Sequence, residues 1–166
     1  MAGIYSVLGQ ADKVINSIDV LCRGCLMKNF MTLHNDYRSM GVALEADNFA
    51  PVQLDALIGT VNAIQMMLLQ YDDNRIKILP ALSERIDYVK AEKLAFYGGE
   101  ADISLKGGKL SVKISAKDDI KRKIILPENS EYMIKQNAET SVYDKNKVYY
   151  IKQGESLEIY IKKERK

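Results

Sequence analysis

The feature that most constrains the fold is a long apolar run at residues 51–71, PVQLDALIGTVNAIQMMLLQY, which contains a single acid, Asp55. Apolar residues recur in it at helical spacing, so one face of the predicted helix is expected to lie in a core. That face consists of Leu54, Leu57, Ile58, Val61, Ile64 and Leu68. Other apolar residues extend round most of the circumference, which is typical of a helix buried on several sides. Such a helix needs partners, and the chain offers few other helices.

The chain before this run predicts one amphipathic helix and one elaborate loop. The helix is expected over residues 10–28, with Cys22 and Cys25 on its apolar face. Residues 29–50 have no sustained period and mix aromatic, hydrogen-bonding and charged groups with the only histidine. A loop of this length inside a compact domain is more often functional than idle.

After residue 72 the period changes from that of a helix to that of a strand. Expected strands lie at residues 75–79, 91–97, 101–105, 110–114, 121–126, 132–134, 148–151 and 157–161. Two Gly-Gly pairs, at 98–99 and 107–108, predict hairpin turns, and Lys121-Arg122-Lys123 predicts a solvated strand face. The pattern indicates an α+β chain, with a helical segment over 1–72 and an antiparallel β-sandwich over 73–166.

Composition excludes some partners. The net charge of +2 gives no strong field for nucleic acid or a membrane surface. The run at 51–71 is interrupted by polar residues and makes a poor membrane span. No signal peptide is evident at the N-terminus, so the expected location is the cytoplasm, and it is unknown if the chain is part of a longer secreted protein. Two cysteines do not make a disulfide scaffold.

The run VQLDALIGTVNAIQMMLLQ resembles the end of the catalytic domain in glycoside hydrolase family 95, the α-L-fucosidase family, which has a stretch close to FQIDGNFGGTAGIAEMLLQ. Three further blocks are similar to that family in the right order: NFMTLHND, IKILPALSERIDY and VKAEKLAFYGGEADISLKGGKL. The resemblance extends over nearly all of the chain up to about Ile125. It implies the last helices of an (α/α) barrel followed by the C-terminal β-sandwich, with the upstream part of the barrel supplied by sequence outside this chain.

The resemblance also implies an activity, the inverting hydrolysis of a glycosidic bond in an oligosaccharide or glycan. Asp55 matches the family's general base, whereas the general acid belongs to an earlier barrel helix, so the isolated chain is expected to be inactive. Residues Val52, Leu57 and Ile58 depart from the family motif, which indicates a reshaped pocket. From position alone, Asp55 is also explained as an acid that stabilises a helix N-terminus by about 0.3–1 kcal/mol.

The polar loop is the candidate substrate-binding segment. His34 has the best support from the resemblance, and its neighbours supply the dense hydrogen bonding and the aromatic platform that sugars require. The predicted substrate-binding residues are His34, Asn35, Asp36, Tyr37, Arg38 and Gln53. The alternative is a surface loop without a ligand. No metal and no cofactor is predicted.

Two other functions stay open. The chain could be a stand-alone carbohydrate-binding or protein-interaction module that self-associates through the 51–71 helix. A redox or metal role for the Cys22–Cys25 pair is the weakest alternative, because no second pair accompanies it and two cysteines on an apolar helix face are more typical of a core.

Overall fold

A computed structural model describes residues 1–33, 53–128 and 130–164 of the chain. Its contacts divide the chain into two compact units, Met1–Met67 and Leu68–Lys166. The described part of the first unit is mainly helical, and the described part of the second, from Leu69 onward, consists of strands and their connections.

The described part of the helical unit contains three helices: α1 (Ala2–Val7), α2 (Ala11–Gly24) and α3 (Leu54–Leu68). Helix α2 is the amphipathic helix that the sequence predicts, with Val14 buried and Asp19 paired to Arg23 at 2.9 Å. It ends at Gly24, before the predicted limit of residue 28. Helix α1 was not predicted, because its six residues are too few to show a helical period.

Helix α3 is shorter than the apolar run from which it was predicted. It ends at Leu68, and Leu69–Tyr71 forms strand β1 instead. These three residues pair with Ile76, Lys77 and Ile78, so backbone hydrogen bonds to a neighbouring strand replace another helical turn. A continuous apolar run does not reveal this change, since it suits a buried strand as well as a buried helix.

Within its described residues, the β unit contains the eight expected strands and two more. After β1 the strands are β2 (Arg75–Ile78), β3 (Tyr88–Phe96), β4 (Gly99–Lys106), β5 (Lys109–Ala116), β6 (Ile120–Ile125), β7 (Ser130–Gln136), β8 (Glu139–Val142), β9 (Val148–Ile151) and β10 (Ser156–Glu164). Strands β1 and β8 were not predicted. All four residues of β8 are exposed, so it lacks the alternation that marks a half-buried strand.

The strands form two sheets, one with the order β1-β2-β6-β9 and one with the order β3-β4-β5-β10-β7-β8. Every pairing is antiparallel except that of β2 with β6, which is parallel and corrects the expectation of a wholly antiparallel fold. Side chains from both sheets share one buried cluster, among them Ile76 and Ile124 from the first and Ile114 and Leu157 from the second. The fold is therefore α+β with a sandwich-like β unit.

The hairpin turns follow from glycine. Gly107 and Gly108 both have positive φ, +54° and +75°, and connect β4 to β5 in a two-residue loop, as the sequence predicts. Gly98 likewise has a φ of +92° between β3 and β4. At Gly99 a Cβ would lie 2.5 Å from the Ser115 carbonyl oxygen, so this position needs glycine for close approach.

None of the helices in the described ranges combines the length and apolarity needed to cross a membrane.

Candidate functional site

Asp55 lies in the first turn of α3, where its side chain is exposed. The chain entering this helix is attached to Thr32: the Gln53 N–H donates to the Thr32 carbonyl at 2.8 Å, and the Thr32 hydroxyl donates to the Gln53 carbonyl. Thr32 is only 1% exposed, so this double attachment is shielded from water. It fixes the position of the helix start that carries Asp55.

Thr32 is in turn attached to the end of α2. The Leu33 N–H donates to the Cys25 carbonyl at 3.0 Å, and Leu26 forms a β-bridge with Thr32. The Met27 N–H also bonds the Met31 carbonyl at 2.8 Å and closes the turn between them. The positions of Asp55 and of the C-terminus of α2 are therefore linked through backbone hydrogen bonds.

The two cysteines lie beside this attachment. Cys25 is buried, Cys22 is half-buried, and no disulfide joins them. Within the described ranges no group of three or more histidine, cysteine, aspartate or glutamate side chains is arranged to hold a metal ion. The redox or metal alternative gains no geometric support from these residues.

The face of α3 expected in the core is largely exposed, which corrects that expectation. Leu54, Ile58, Val61 and Ile64 are all exposed, and Ile58 is 66% exposed. Only Ala63 and Met67 of this helix are buried. Among the described elements of this unit, the short helix α1 meets the Ala63 side, where the Ser6 hydroxyl donates to the Ala63 carbonyl at 2.9 Å, and its six residues are too few to cover the whole of α3.

The surface beside Asp55 is therefore apolar and uncovered. A separate cavity of about 540 Å³ lies between α1 and α3, with Ile4, Val7, Ala56 and Met66 in its walls; Asp55 and the exposed residues named above are not part of its described lining. Ile4 and Val7 are themselves exposed. The helical unit therefore has an exposed carboxylate, that of Asp55, at the start of helix α3, and the apolar face of this helix is exposed as well.

The other predicted binding residues have different outcomes. The Gln53 side chain is half-buried two positions before Asp55, and its substrate contact stays a prediction. The segment His34, Asn35, Asp36, Tyr37 and Arg38 lies outside the described residues.

Arg122 is a residue whose environment the sequence pattern misjudged. Rather than lying on a solvated face, it is 9% exposed on the core side of β6, while Lys121 is exposed and Lys123 half-buried. Its guanidinium donates to the Tyr97 carbonyl at 2.8 Å and lies about 6 Å from the rings of Phe96 and Tyr97. The strand alternation Ile120, Arg122, Ile124 was the signal that could have found it.

Comparisons with known proteins give no match, either to a model of a protein family or to a curated protein sequence. The functional hypothesis therefore depends on the sequence resemblance and on the geometry around Asp55.

Proposed function

We propose that this chain is the C-terminal part of an inverting glycosidase of the α-L-fucosidase type, in which Asp55 is the general base. The observation that carries the proposal is the position of Asp55 in the first turn of α3, next to an apolar face that no described element covers. A base on a rigid helix can be held in a reproducible geometry.

In the proposed reaction Asp55 performs one step. Its carboxylate accepts a proton from water while the water oxygen attacks the anomeric carbon and the glycosidic bond breaks. A second carboxyl group, about 6.5–9.5 Å away, must protonate the departing oxygen. By the resemblance, that acid lies on an earlier helix of the barrel, outside this chain.

The same missing helices account for the exposed face of α3. Leu54, Ile58, Val61 and Ile64 would be buried against them, which would explain why four large apolar side chains are exposed on one helix face. In this proposal the helical unit is the end of an (α/α) barrel and the β unit is the domain that follows it.

The first experiment is an immunoblot of source cells against this chain, followed by purification of the native protein. A band well above 18.8 kDa and hydrolysis of 4-nitrophenyl α-L-fucoside with inversion are expected. In the complete enzyme, Asp55→Asn should lower kcat by about 10²–10⁴-fold, the usual contribution of a general base.

Asp12→Asn is the matched control, because Asp12 is the acid in the first turn of α2. If both substitutions leave hydrolysis intact and lower stability equally, Asp55 only stabilises its helix and the proposed base role is wrong.

The exposed α3 face also favours a second candidate, a stand-alone interaction module that self-associates through this helix. In that case the native band is at 18.8 kDa, the protein sediments as an oligomer, and Ile58→Lys converts it to monomers. A large native band with fucosidase activity would exclude this candidate.

A further inference from the structure

The β unit contains a cleft of about 850 Å³, and neither Asp55 nor Gln53 is among its described lining residues. Its walls come from the end of β6, the start of β7 and the connection between β8 and β9. The volume falls in the range of roughly 300–1,000 Å³ typical of small-molecule sites. The cleft is thus large enough to be a binding site.

The floor of the cleft is apolar and aromatic. Leu126 and Tyr132 are buried there, and Ile125 and Tyr143 are half-buried. The Tyr143 hydroxyl donates to the Ile124 carbonyl at 2.8 Å, so this polar group is already satisfied within the protein. What Tyr143 offers a ligand is therefore mainly the carbon surface of its ring.

The aromatic floor is also held rigidly. The ring of Tyr143 is nearly parallel to that of Tyr149, with centroids 6.4 Å apart, and meets Tyr132 edge-on at 6.0 Å. The Tyr149 hydroxyl accepts from the Asp144 N–H at 2.9 Å, and the Asp144 carboxylate accepts from the Asn146 N–H at 2.8 Å. A preformed surface of this kind loses little conformational entropy on binding.

The rim of the cleft is densely charged, and the charges of its described side chains balance. The described lining contains three basic side chains, Arg75, Lys123 and Lys145, and three acidic ones, Glu128, Glu131 and Asp144. Arg75 is already paired with Asp72 at 2.8 Å. No ion pair within the described chain involves Lys123, Glu128, Glu131 or Lys145, so their donors and acceptors are available to a ligand.

This balance selects the class of ligand. A charged ligand would meet as many like charges as opposite ones and would gain little net attraction. An uncharged ligand with many hydroxyl groups can accept hydrogen bonds from the lysines and donate to the carboxylates at the same time. If it also has an apolar C–H face, that face can pack on the tyrosine floor. A neutral pyranose sugar has both properties.

We propose that this cleft of the β unit binds a neutral saccharide, with the half-buried ring of Tyr143 as the platform and the rim residues Lys123 and Glu131 as hydrogen-bonding partners. The site goes beyond the proposed function, because it is a binding site without chemistry and does not use Asp55.

The test is an NMR titration of the complete chain with L-fucose, lactose, maltose and cellobiose, and with sialic acid and glucosamine as charged counterparts. At least one neutral sugar is expected to bind with a millimolar Kd and to shift the resonances of Tyr132, Tyr143 and Asp144. Lys123→Ala and Glu131→Ala should each weaken this binding about tenfold, as loss of a hydrogen bond to a charged group does.

Matched controls lie on the same strand or sheet. Lys121→Ala, two positions away on β6, and Glu139→Ala, on β8, remove exposed charges that do not line the cleft and should leave the Kd unchanged. The proposal is overturned if no neutral sugar shifts the cleft resonances, if a charged sugar binds more tightly, or if Lys121→Ala and Lys123→Ala behave alike. Asp55→Asn should leave this binding unchanged. The proposal of a saccharide site and the proposal of a hydrolase can therefore be tested independently of each other.

Discussion

The helical unit and the β unit differ in how far each buries its own apolar side chains. In the β unit, Ile76, Ile114 and Leu157 are inaccessible to solvent and share one core between two sheets. In the helical unit, α3 buries only Ala63 and Met67 and leaves a row of four large apolar residues exposed. The β unit thus completes its core within its own strands, whereas the described helices do not complete theirs.

The difference has an energetic consequence. Burying one large aliphatic side chain contributes about 1.5–3 kcal/mol. The exposed row on α3, made of Leu54, Ile58, Val61 and Ile64, therefore represents several such contributions that the helical unit does not realise by itself. A covering element, whether barrel helices or a second copy, would recover them.

The largest expected difference in stability between the two units comes from truncating one isoleucine in each of them. Ile114→Ala should destabilise the β unit by about 2–5 kcal/mol, since Ile114 is fully buried and the substitution leaves a cavity. Ile58→Ala should change stability by less than about 0.5 kcal/mol, because Ile58 is already 66% exposed. Urea unfolding followed by tyrosine fluorescence and far-UV circular dichroism measures both. A comparable loss from Ile58→Ala would mean that α3 is already covered in solution.

Replacing glycine by alanine should lower the stability at one position and raise it at another. Gly99→Ala should cost about 1–3 kcal/mol, because the new Cβ would overlap the Ser115 carbonyl and the Phe96 ring. Gly59→Ala should stabilise α3 by about 0.5–1 kcal/mol, since its Cβ meets nothing within 4 Å and alanine favours the helix. Thermal melts of the two variants test this. If both variants were stabilised, or both destabilised, the contrast between the filled surroundings of Gly99 and the open surroundings of Gly59 would be contradicted.

A smaller effect is expected from the pH dependence of the β unit. Burial raises the pKa of Tyr143 to about 12, above the value of 10.0 for an exposed tyrosine. The unfolded chain therefore loses this proton at lower pH than the folded chain, and the free energy of unfolding falls as pH rises from about 10 to 12. Below pH 10 both states are protonated and the contribution is constant.

Tyr143→Phe isolates that contribution. At neutral pH it should cost about 0.5–1.5 kcal/mol through loss of the hydrogen bond to the Ile124 carbonyl. Between pH 10 and 12 its stability should fall less steeply than that of the original chain. Urea titrations of both proteins at several pH values test this prediction. If the free energy of unfolding fell equally steeply with pH in both, Tyr143 would titrate as an exposed group.

Local patterns predict much of the β unit, and particular residues show where they fail. Alternation locates β5, in which Leu110, Val112 and Ile114 are buried and Ser111 and Lys113 between them are exposed. It misses strand β8, because all four of its side chains are exposed and no alternation of buried and exposed positions marks it. The parallel pairing of β2 with β6 joins segments distant in sequence, and no local period encodes such a partner.

For the candidate site, the sequence predicts the residue but not its surroundings. The placement of Asp55 near the start of a helix is confirmed. The sequence predicts that α3 lacks partners within the chain, but not that Ile58 and its neighbours are the residues left exposed, because periodicity identifies an apolar face and does not say what covers it. The cleft of the β unit was missed for a different reason: Arg75, Tyr132 and Tyr143 come from separate segments and form no motif.

The attachment of Gln53 to Thr32 has a consequence for how such a protein evolves. It joins two positions 21 residues apart and ties the ends of the intervening chain together just before Asp55. The entropy of closing a loop grows only with the logarithm of its length, and each doubling costs about 0.6 kcal/mol. The start of α3 is therefore positioned by Thr32 and Gln53 and depends little on how many residues separate them. Homologous chains should keep this pair of attachment points even where the number of residues between them differs.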